Sequence, residues 1–75
     1  MRKMQITPYG ARLREARKAA GITLEDLEID LGMTKRTISN YECGRALPTM
    51  KTALKLAQYL DRPLSWFVQD YGKEN

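Results

Sequence analysis

The chain contains no histidine and a single cysteine, Cys43, among its 75 residues. One thiol cannot form an internal disulfide, and without an imidazole it provides neither a metal-ligand set nor a Cys/His catalytic pair. Paired carboxylates in an apolar setting and a phosphate-binding glycine loop are also missing. We therefore expect no metal, no cofactor and no enzymatic activity, and a reducing cytoplasm as the compartment.

Long apolar runs are absent as well. No stretch approaches the ~20 residues of a membrane span, and the first ten residues are basic without the apolar core of a signal sequence. The chain is therefore not expected to associate with a membrane. Its 75 residues allow one domain only. A content of 43% hydrophobic and 29% charged residues is that of a globular protein and not of a disordered tail.

Acidic residues are fewer than basic ones, 9 against 13, which gives a formal net charge of +4. This excess favours an anionic partner without identifying it. The charges are also segregated along the chain. Residues 1–20 are basic apart from Glu15, residues 22–33 carry acidic residues and no base, and the basic pair Lys35 and Arg36 follows.

Apolar residues recur at helical spacing, and no segment shows the alternation of a strand. Five helices are predicted, each opening after a residue suited to a helix N-terminus, in the order Thr7, Thr23, Thr34, Thr49 and Pro63. Glycines stop the first three, at Gly21, Gly32 and Gly44. The positions predicted to face the core are Leu13, Ala16, Ala20, Leu24, Leu27, Leu31, Ile38, Tyr41, Met50, Ala53, Leu56, Ala57, Leu60, Trp66 and Phe67.

The second and third predicted helices are short and separated by a turn of three or four residues, which is the helix-turn-helix layout. Asp26 follows Thr23 at the spacing of a capping box. Ile38 and Tyr41 can anchor the third helix to the core. Its remaining positions then point outward: Lys35, Arg36, Thr37, Ser39 and Asn40.

From Leu13 to Val68 the chain resembles the Cro/C1-type, or XRE-like, helix-turn-helix family of phage and bacterial transcription regulators. The resemblance rests on LREARKAAG, TLEDLEIDLGMTKRTISNYECGRALP and TALKLAQYLDRPLSWF, in the right order and with the right gaps. It implies an all-α, compact five-helix, lambda-repressor-like DNA-binding domain in a cytoplasmic bacterial or phage-encoded protein. We expect this domain at residues 7–69, between a flexible arm at 1–6 and a frayed tail at 70–75.

The family places its third helix in the major groove, with the first residues of that helix against base edges. The resemblance therefore implies base contacts by Lys35, Arg36, Thr37 and Asn40. Lysine and arginine can donate to the O6 and N7 atoms of guanine, and asparagine can pair with adenine, although Asn40 fits a plain helix surface equally well. Contacts to phosphate, which set position and not sequence, are expected from Arg17, Thr23, Thr34, Ser39, Gly44 and Arg45.

Family members also pair an arginine with a glutamate, here Arg17 with Glu42, in a partly buried ion pair. Three positions depart from the usual family pattern. Leu24 stands in place of a glutamine, Glu28 in place of an alanine packed against the reading helix, and Cys43 in place of an asparagine.

The partner implied by the resemblance is double-stranded DNA, an operator with two half-sites bound by a homodimer that acts as a repressor. The alternative is a protein-interaction module that uses the acidic second helix. Its contact patch would consist of Glu25, Asp26, Ile29 and Asp30, and its partner would be a toxin, another regulator, or the sigma factor of RNA polymerase. The same acids also serve simply as complements to the helix dipole.

Overall fold

Each of the five helices contributes one side chain without exposed surface to a single core. In a computed structural model that describes residues 9–68, these side chains are Leu13, Leu27, Ile38, Leu56 and Phe67, each 0% exposed. The helices are α1 Tyr9–Ala19, α2 Leu24–Leu31, α3 Lys35–Glu42, α4 Met50–Tyr59 and α5 Leu64–Phe67. The predicted five-helix, all-α fold is confirmed. No helix in the described range is long and apolar enough to cross a membrane.

Threonines fix the start of α2, α3 and α4. The side chains of Thr23, Thr34 and Thr49 each accept a hydrogen bond from the backbone N–H three residues later. At α2 the capping box is complete, because the Asp26 carboxylate in turn accepts from the Thr23 N–H at 2.9 Å. These bonds satisfy donors that a helix N-terminus leaves without a partner. The three predicted caps are therefore present.

The turn between α2 and α3 depends on Gly32. Its φ of 69° lies in the left-handed region that favours glycine, and its N–H donates to the Glu28 carbonyl at 3.0 Å. Met33 and the cap residue Thr34 complete the connection. The two helices consequently meet through the short turn that the sequence predicts.

The Thr7–Pro8 start, the arm at 1–6 and the tail at 70–75 lie outside the described residues. Ala20 and Met50 were predicted to face the core, but both are exposed, and Met50 keeps 66% of its surface. Both lie at a helix end, and no neighbouring helix of the described range extends far enough to cover the apolar side chain there.

The first turn of α1 approaches the end of α3 backbone to backbone. A Cβ atom on Gly10 would lie 2.5 Å from the Tyr41 carbonyl oxygen and 2.7 Å from that of Glu42. Backbone atoms cannot move aside as a flexible side chain can. Gly10 therefore permits a contact between α1 and α3 that no other residue type allows.

We predict that Gly10→Ala destabilises the protein by about 1 to 3 kcal/mol, the usual cost of overpacking. Helix propensity alone predicts the opposite sign, because alanine in a helix is favoured over glycine by about 1 kcal/mol. Urea denaturation measures the difference. Ala11→Gly, at the exposed next position of the same turn, reports the propensity effect alone. A Gly10→Ala protein as stable as the parent would show that the close approach is absent.

A hydrogen bond joins α2 to α4. The Tyr59 hydroxyl donates to the Asp30 carboxylate, and this bond, followed by desolvation, raises the pKa of Tyr59 from 10.0 to about 12. Burial, followed by the neighbouring Tyr41, raises the pKa of Tyr9 to about 12 as well. Both phenols thus retain their protons above the pH at which an unfolded tyrosine loses its own.

Stability should therefore fall as the pH rises from about 10 to about 12, because the unfolded state loses these protons first. The contribution is fully present below pH 10 and is lost as the pH passes through the folded pKa of about 12. Tyr59→Phe should reduce this alkaline loss, because phenylalanine does not titrate. Urea denaturation of parent and variant, below pH 10 and near about pH 11, tests the difference. Equal losses in the two proteins would contradict the assigned bond.

Candidate functional site

The first turn of α3 presents two basic side chains above a buried anchor. Lys35 and Arg36 are exposed, whereas Ile38, two residues further on, is 0% exposed. Thr34 caps the helix, so the backbone at this end is held by a local bond as well as by the core. Two cations consequently project from a rigidly positioned helix end.

The two cations differ in their surroundings. The Nζ atom of Lys35 lies 3.5 Å from a carboxylate oxygen of Glu25, in the first turn of α2. The side chain of Arg36 forms no hydrogen bond or ion pair with another residue of the described range. The Arg36 guanidinium is therefore available in full for a planar acceptor, while part of the Lys35 charge is offset.

The hydroxyl of Thr37 is turned toward the helix cap. Its oxygen accepts from the Thr34 hydroxyl at 3.0 Å, and its N–H donates to the Thr34 oxygen at 3.1 Å. Ser39 is half-buried one turn after Lys35. Thr37 is thus the short polar side chain of α3 that takes part in capping the helix.

Asn40 is engaged by the segment that follows α3. Its side-chain oxygen accepts from the Arg45 guanidinium at 3.3 Å, and its backbone carbonyl accepts from the Arg45 N–H at 2.9 Å. A bidentate pair with adenine needs the amide oxygen as well as the amide nitrogen. In this structure Asn40 holds Arg45 in place.

Several of the backbone donors expected to meet an anion are already used. The Thr23 N–H donates to Asp26 within the capping box, and the Gly44 N–H donates to the Tyr41 carbonyl at 3.2 Å. The first-turn N–H groups of both α2 and α3 have no intrahelical acceptor. The first turn of α2 carries the carboxylates of Glu25 and Asp26, whereas that of α3 carries Lys35 and Arg36, so the start of α3 is better suited to an anion.

A bidentate ion pair connects α1 to the end of α3. Arg17 donates from Nε to one Glu42 carboxylate oxygen at 2.7 Å and from Nη2 to the other at 3.2 Å. A third donor, Nη1, bonds the Ile22 carbonyl at 3.0 Å. The two side chains are only 11% and 8% exposed. Arg17 and Glu42 thus form the pair that the resemblance implied, and the Arg17 guanidinium faces the interior.

The three carboxylates of the predicted patch on α2 have partners within the chain. Glu25 pairs with Lys35, Asp26 caps the helix, and Asp30 accepts from Tyr59. Between them Ile29 stands 74% exposed. The predicted acidic patch therefore consists of carboxylates that each take part in a local interaction.

Sequence reasoning missed Gly10, whose close contact with α3 leaves no signal in a single sequence. The three departures from the family pattern are accommodated within the fold. Leu24 is half-buried against the core, Glu28 is half-buried, and Cys43 is exposed at the end of α3. No cluster of residues able to hold a metal is present in the described range.

The comparisons with known proteins identify the family and support the fold. The family model described as helix-turn-helix matches residues 13–67. A protein of Methanocella arvoryzae, whose name proposes an HTH-type transcriptional regulatory protein, is 45% identical over 56 residues. The aligned part is 75% of this chain and 17% of that protein, so the chain spans about a sixth of this relative.

Two further similarities were found. RghRB of Bacillus subtilis, named an uncharacterized HTH-type transcriptional regulator, is 39% identical over 59 residues, 77% of this chain and 42% of that protein. The S. venezulae BldD DNA-binding domain superposes with a TM-score of 0.73 at 23% identity, over 83% of this chain and 93% of that one. The BldD likeness supports the fold.

We predict that Glu42→Gln lowers the free energy of unfolding by about 3 kcal/mol, because it leaves the Arg17 charge buried without a counterion. Glu25→Gln removes the same charge from the exposed pair with Lys35 and should cost less than about 1 kcal/mol. Urea denaturation at neutral pH compares the two variants. Losses of similar size would show that burial does not distinguish these pairs.

Proposed function

Since the chain belongs to the helix-turn-helix family, in its Cro/C1-type branch, we propose that it regulates transcription by binding double-stranded DNA with α3 in the major groove. The major groove admits an α-helix and displays a distinct pattern of donors and acceptors for each base pair. A helix that enters by its N-terminal end brings its first turn closest to the bases. In this chain that turn carries Lys35 and Arg36.

The observation that carries the proposal is the exposed basic pair on a firmly anchored helix end. Ile38 is buried in the core below it, and Thr34 caps it. Arg36 is the main base reader in this proposal, because its guanidinium can donate to O6 and N7 of one guanine. Lys35 reads a neighbouring base. Thr37 can contribute its methyl group and its O–H donor, because in the cap its oxygen only accepts, from the Thr34 hydroxyl.

Phosphate contacts in this proposal come from groups that the fold leaves available. These are the backbone N–H groups in the first turn of α3, the half-buried Ser39 hydroxyl and the exposed side chain of Arg45. Thr34 contributes by capping that turn. Arg17, Thr23 and Gly44 are left out of the set, because their donors bond Glu42, Asp26 and Tyr41 within the chain.

Asn40 can either read an adenine or position Arg45, and its hydrogen bond to Arg45 supports the positioning role. Reading an adenine requires Asn40 to release Arg45, whereas holding Arg45 toward a phosphate requires no rearrangement. We assign Asn40 the role of positioning Arg45. Its replacement would then weaken binding to all sequences alike.

A homodimer on a palindromic operator follows from the small footprint of one helix, which reads too few base pairs for useful specificity. The chain offers an apolar surface for such a contact. Leu47 and Met50 are 61% and 66% exposed, and Leu54 and Val68 also keep more than a third of their surface. Leu47, Met50 and Val68 line one groove together with Tyr9, Pro48, Ala53 and Leu64. Two copies that meet there would cover apolar side chains now in contact with water.

The proposed mode of regulation is repression by occupying the operator. It needs only DNA binding and a dimer, whereas activation also needs a contact with RNA polymerase. The acidic residues of α2, which would serve a contact with RNA polymerase, are already bound to Lys35, Thr23 and Tyr59. For the same reason the alternative function, a protein-interaction module built on α2, has less support. Ile29 is the one prominent apolar residue on that face.

We predict that Arg36→Ala weakens binding to the preferred duplex by about 1 to 3 kcal/mol and relaxes the preference at one base position. Selection of bound duplexes from a random pool, with the parent and the variant in parallel, measures both effects. Footprinting on the selected duplex shows whether one or two half-sites are covered.

Arg14→Ala is the matched control, because it removes the same charge from an exposed position on α1. It should leave the base preference unchanged. If the parent and Arg36→Ala select the same sequences with the same affinity, α3 is not the reading helix. Retention of one stoichiometric protein partner without DNA would favour the interaction module instead.

A further inference from the structure

The ion pair between Glu25 and Lys35 joins the first turn of α2 to the first turn of α3. The two charged atoms lie 3.5 Å apart, and the side chains are 67% and 51% exposed. An exposed pair of this kind contributes little to stability. Its importance lies in its position, because it places a carboxylate beside a residue that the proposed function assigns to base reading.

We propose that Glu25 is a specificity-determining residue that makes Lys35 discriminate in favour of base edges and against phosphates. This inference rests on the proposed function, since it requires α3 to lie in the groove. It assigns a role to a carboxylate that otherwise belongs only to a surface ion pair.

The chemistry of the ammonium group allows this discrimination. Lysine has three N–H donors, so one directed toward Glu25 leaves two for the O6 and N7 acceptors of a guanine. Those acceptors carry only partial negative charges, so a nearby carboxylate repels them less than it repels a phosphate. A phosphate oxygen carries a full charge, which Glu25 repels while also offsetting the attraction of Lys35.

The start of α2 is unfavourable for phosphate in a second way. The Thr23 N–H, which could meet an anion, is bonded to Asp26. The cap is therefore complete without Glu25, whose carboxylate is not needed to hold the helix end. Its negative charge stays directed toward the neighbouring start of α3, where Lys35 lies.

The consequence concerns non-specific binding, which depends almost entirely on neutralised phosphates. Arg36 has no carboxylate partner in the described range and contributes its whole charge in any register on DNA. Lys35 contributes less than a whole charge as long as Glu25 is present. The pair thus lowers binding to random duplexes more than binding to the preferred site.

Glu25→Gln tests the inference, with Glu15→Gln as the control that removes the same charge from an exposed position on α1. Fluorescence anisotropy would measure affinity for the selected duplex and for a scrambled duplex over a range of salt concentrations. For Glu25→Gln we expect the slope of log affinity against log salt on the scrambled duplex to steepen by about 0.9, one additional phosphate contact. The ratio of specific to non-specific affinity should fall about threefold to fivefold, the size of one exposed ion pair. Glu15→Gln should show neither change.

A double-mutant cycle shows whether Glu25 acts through Lys35. In a Lys35→Met background, Glu25→Gln should behave like Glu15→Gln. If the parent binds DNA selectively but Glu25→Gln matches the Glu15→Gln control, the role of Glu25 is overturned and the proposed function stands. If the parent binds no duplex, both are overturned. An effect of Glu25→Gln that persists without Lys35 also overturns the inference, because the carboxylate would then act on DNA directly.

Discussion

The Arg17–Glu42 ion pair is the interaction on which the arrangement of the other elements depends. One guanidinium bonds both carboxylate oxygens at the end of α3 and the Ile22 carbonyl just before α2. α1 is thereby tied to the entry and to the exit of the helix-turn-helix segment. Removing two charges from water is costly, and the bidentate geometry together with the third hydrogen bond compensates for that cost.

The ion pair is effective because the backbones of α1 and α3 come close together. Gly10 allows the first turn of α1 to rest against the last carbonyls of α3, and Ile38 and Leu13 fill the core beneath. α3 is thus supported along its inner side by packing and at its end by charge. The opposite side of α3 is exposed to solvent and carries Lys35 and Arg36 in its first turn.

The charge segregation along the sequence becomes a set of specific pairs in the fold. Three of the four acids of α2 are each directed to a different neighbour. Asp30 reaches Tyr59 on α4, Asp26 closes its own helix start, and Glu25 reaches Lys35 on α3. The same residues that mark α2 as acidic therefore hold it to α4 and moderate the charge of the proposed reading helix.

Much of the fold is determined locally and could be predicted from the sequence. The threonine caps, the turn glycine Gly32 and the apolar spacing that buries Leu27 and Ile38 act over a few residues, so they can be identified in a single chain. The pairing of Arg17 with Glu42, which are far apart in sequence, was instead implied by the family resemblance.

The tertiary structure decided which groups of different segments meet. It brought Gly10 against α3, turned the Asn40 oxygen to Arg45 in the segment after α3, and set Glu25 beside Lys35. It also left Met50 exposed, because a stripe at a helix end is buried only if a neighbour extends that far. Sequence by itself determined which helices form and which of them carries the basic turn. Only packing determined which of their polar groups remain available, because a hydrogen bond or ion pair depends on distances that spacing along one helix does not define.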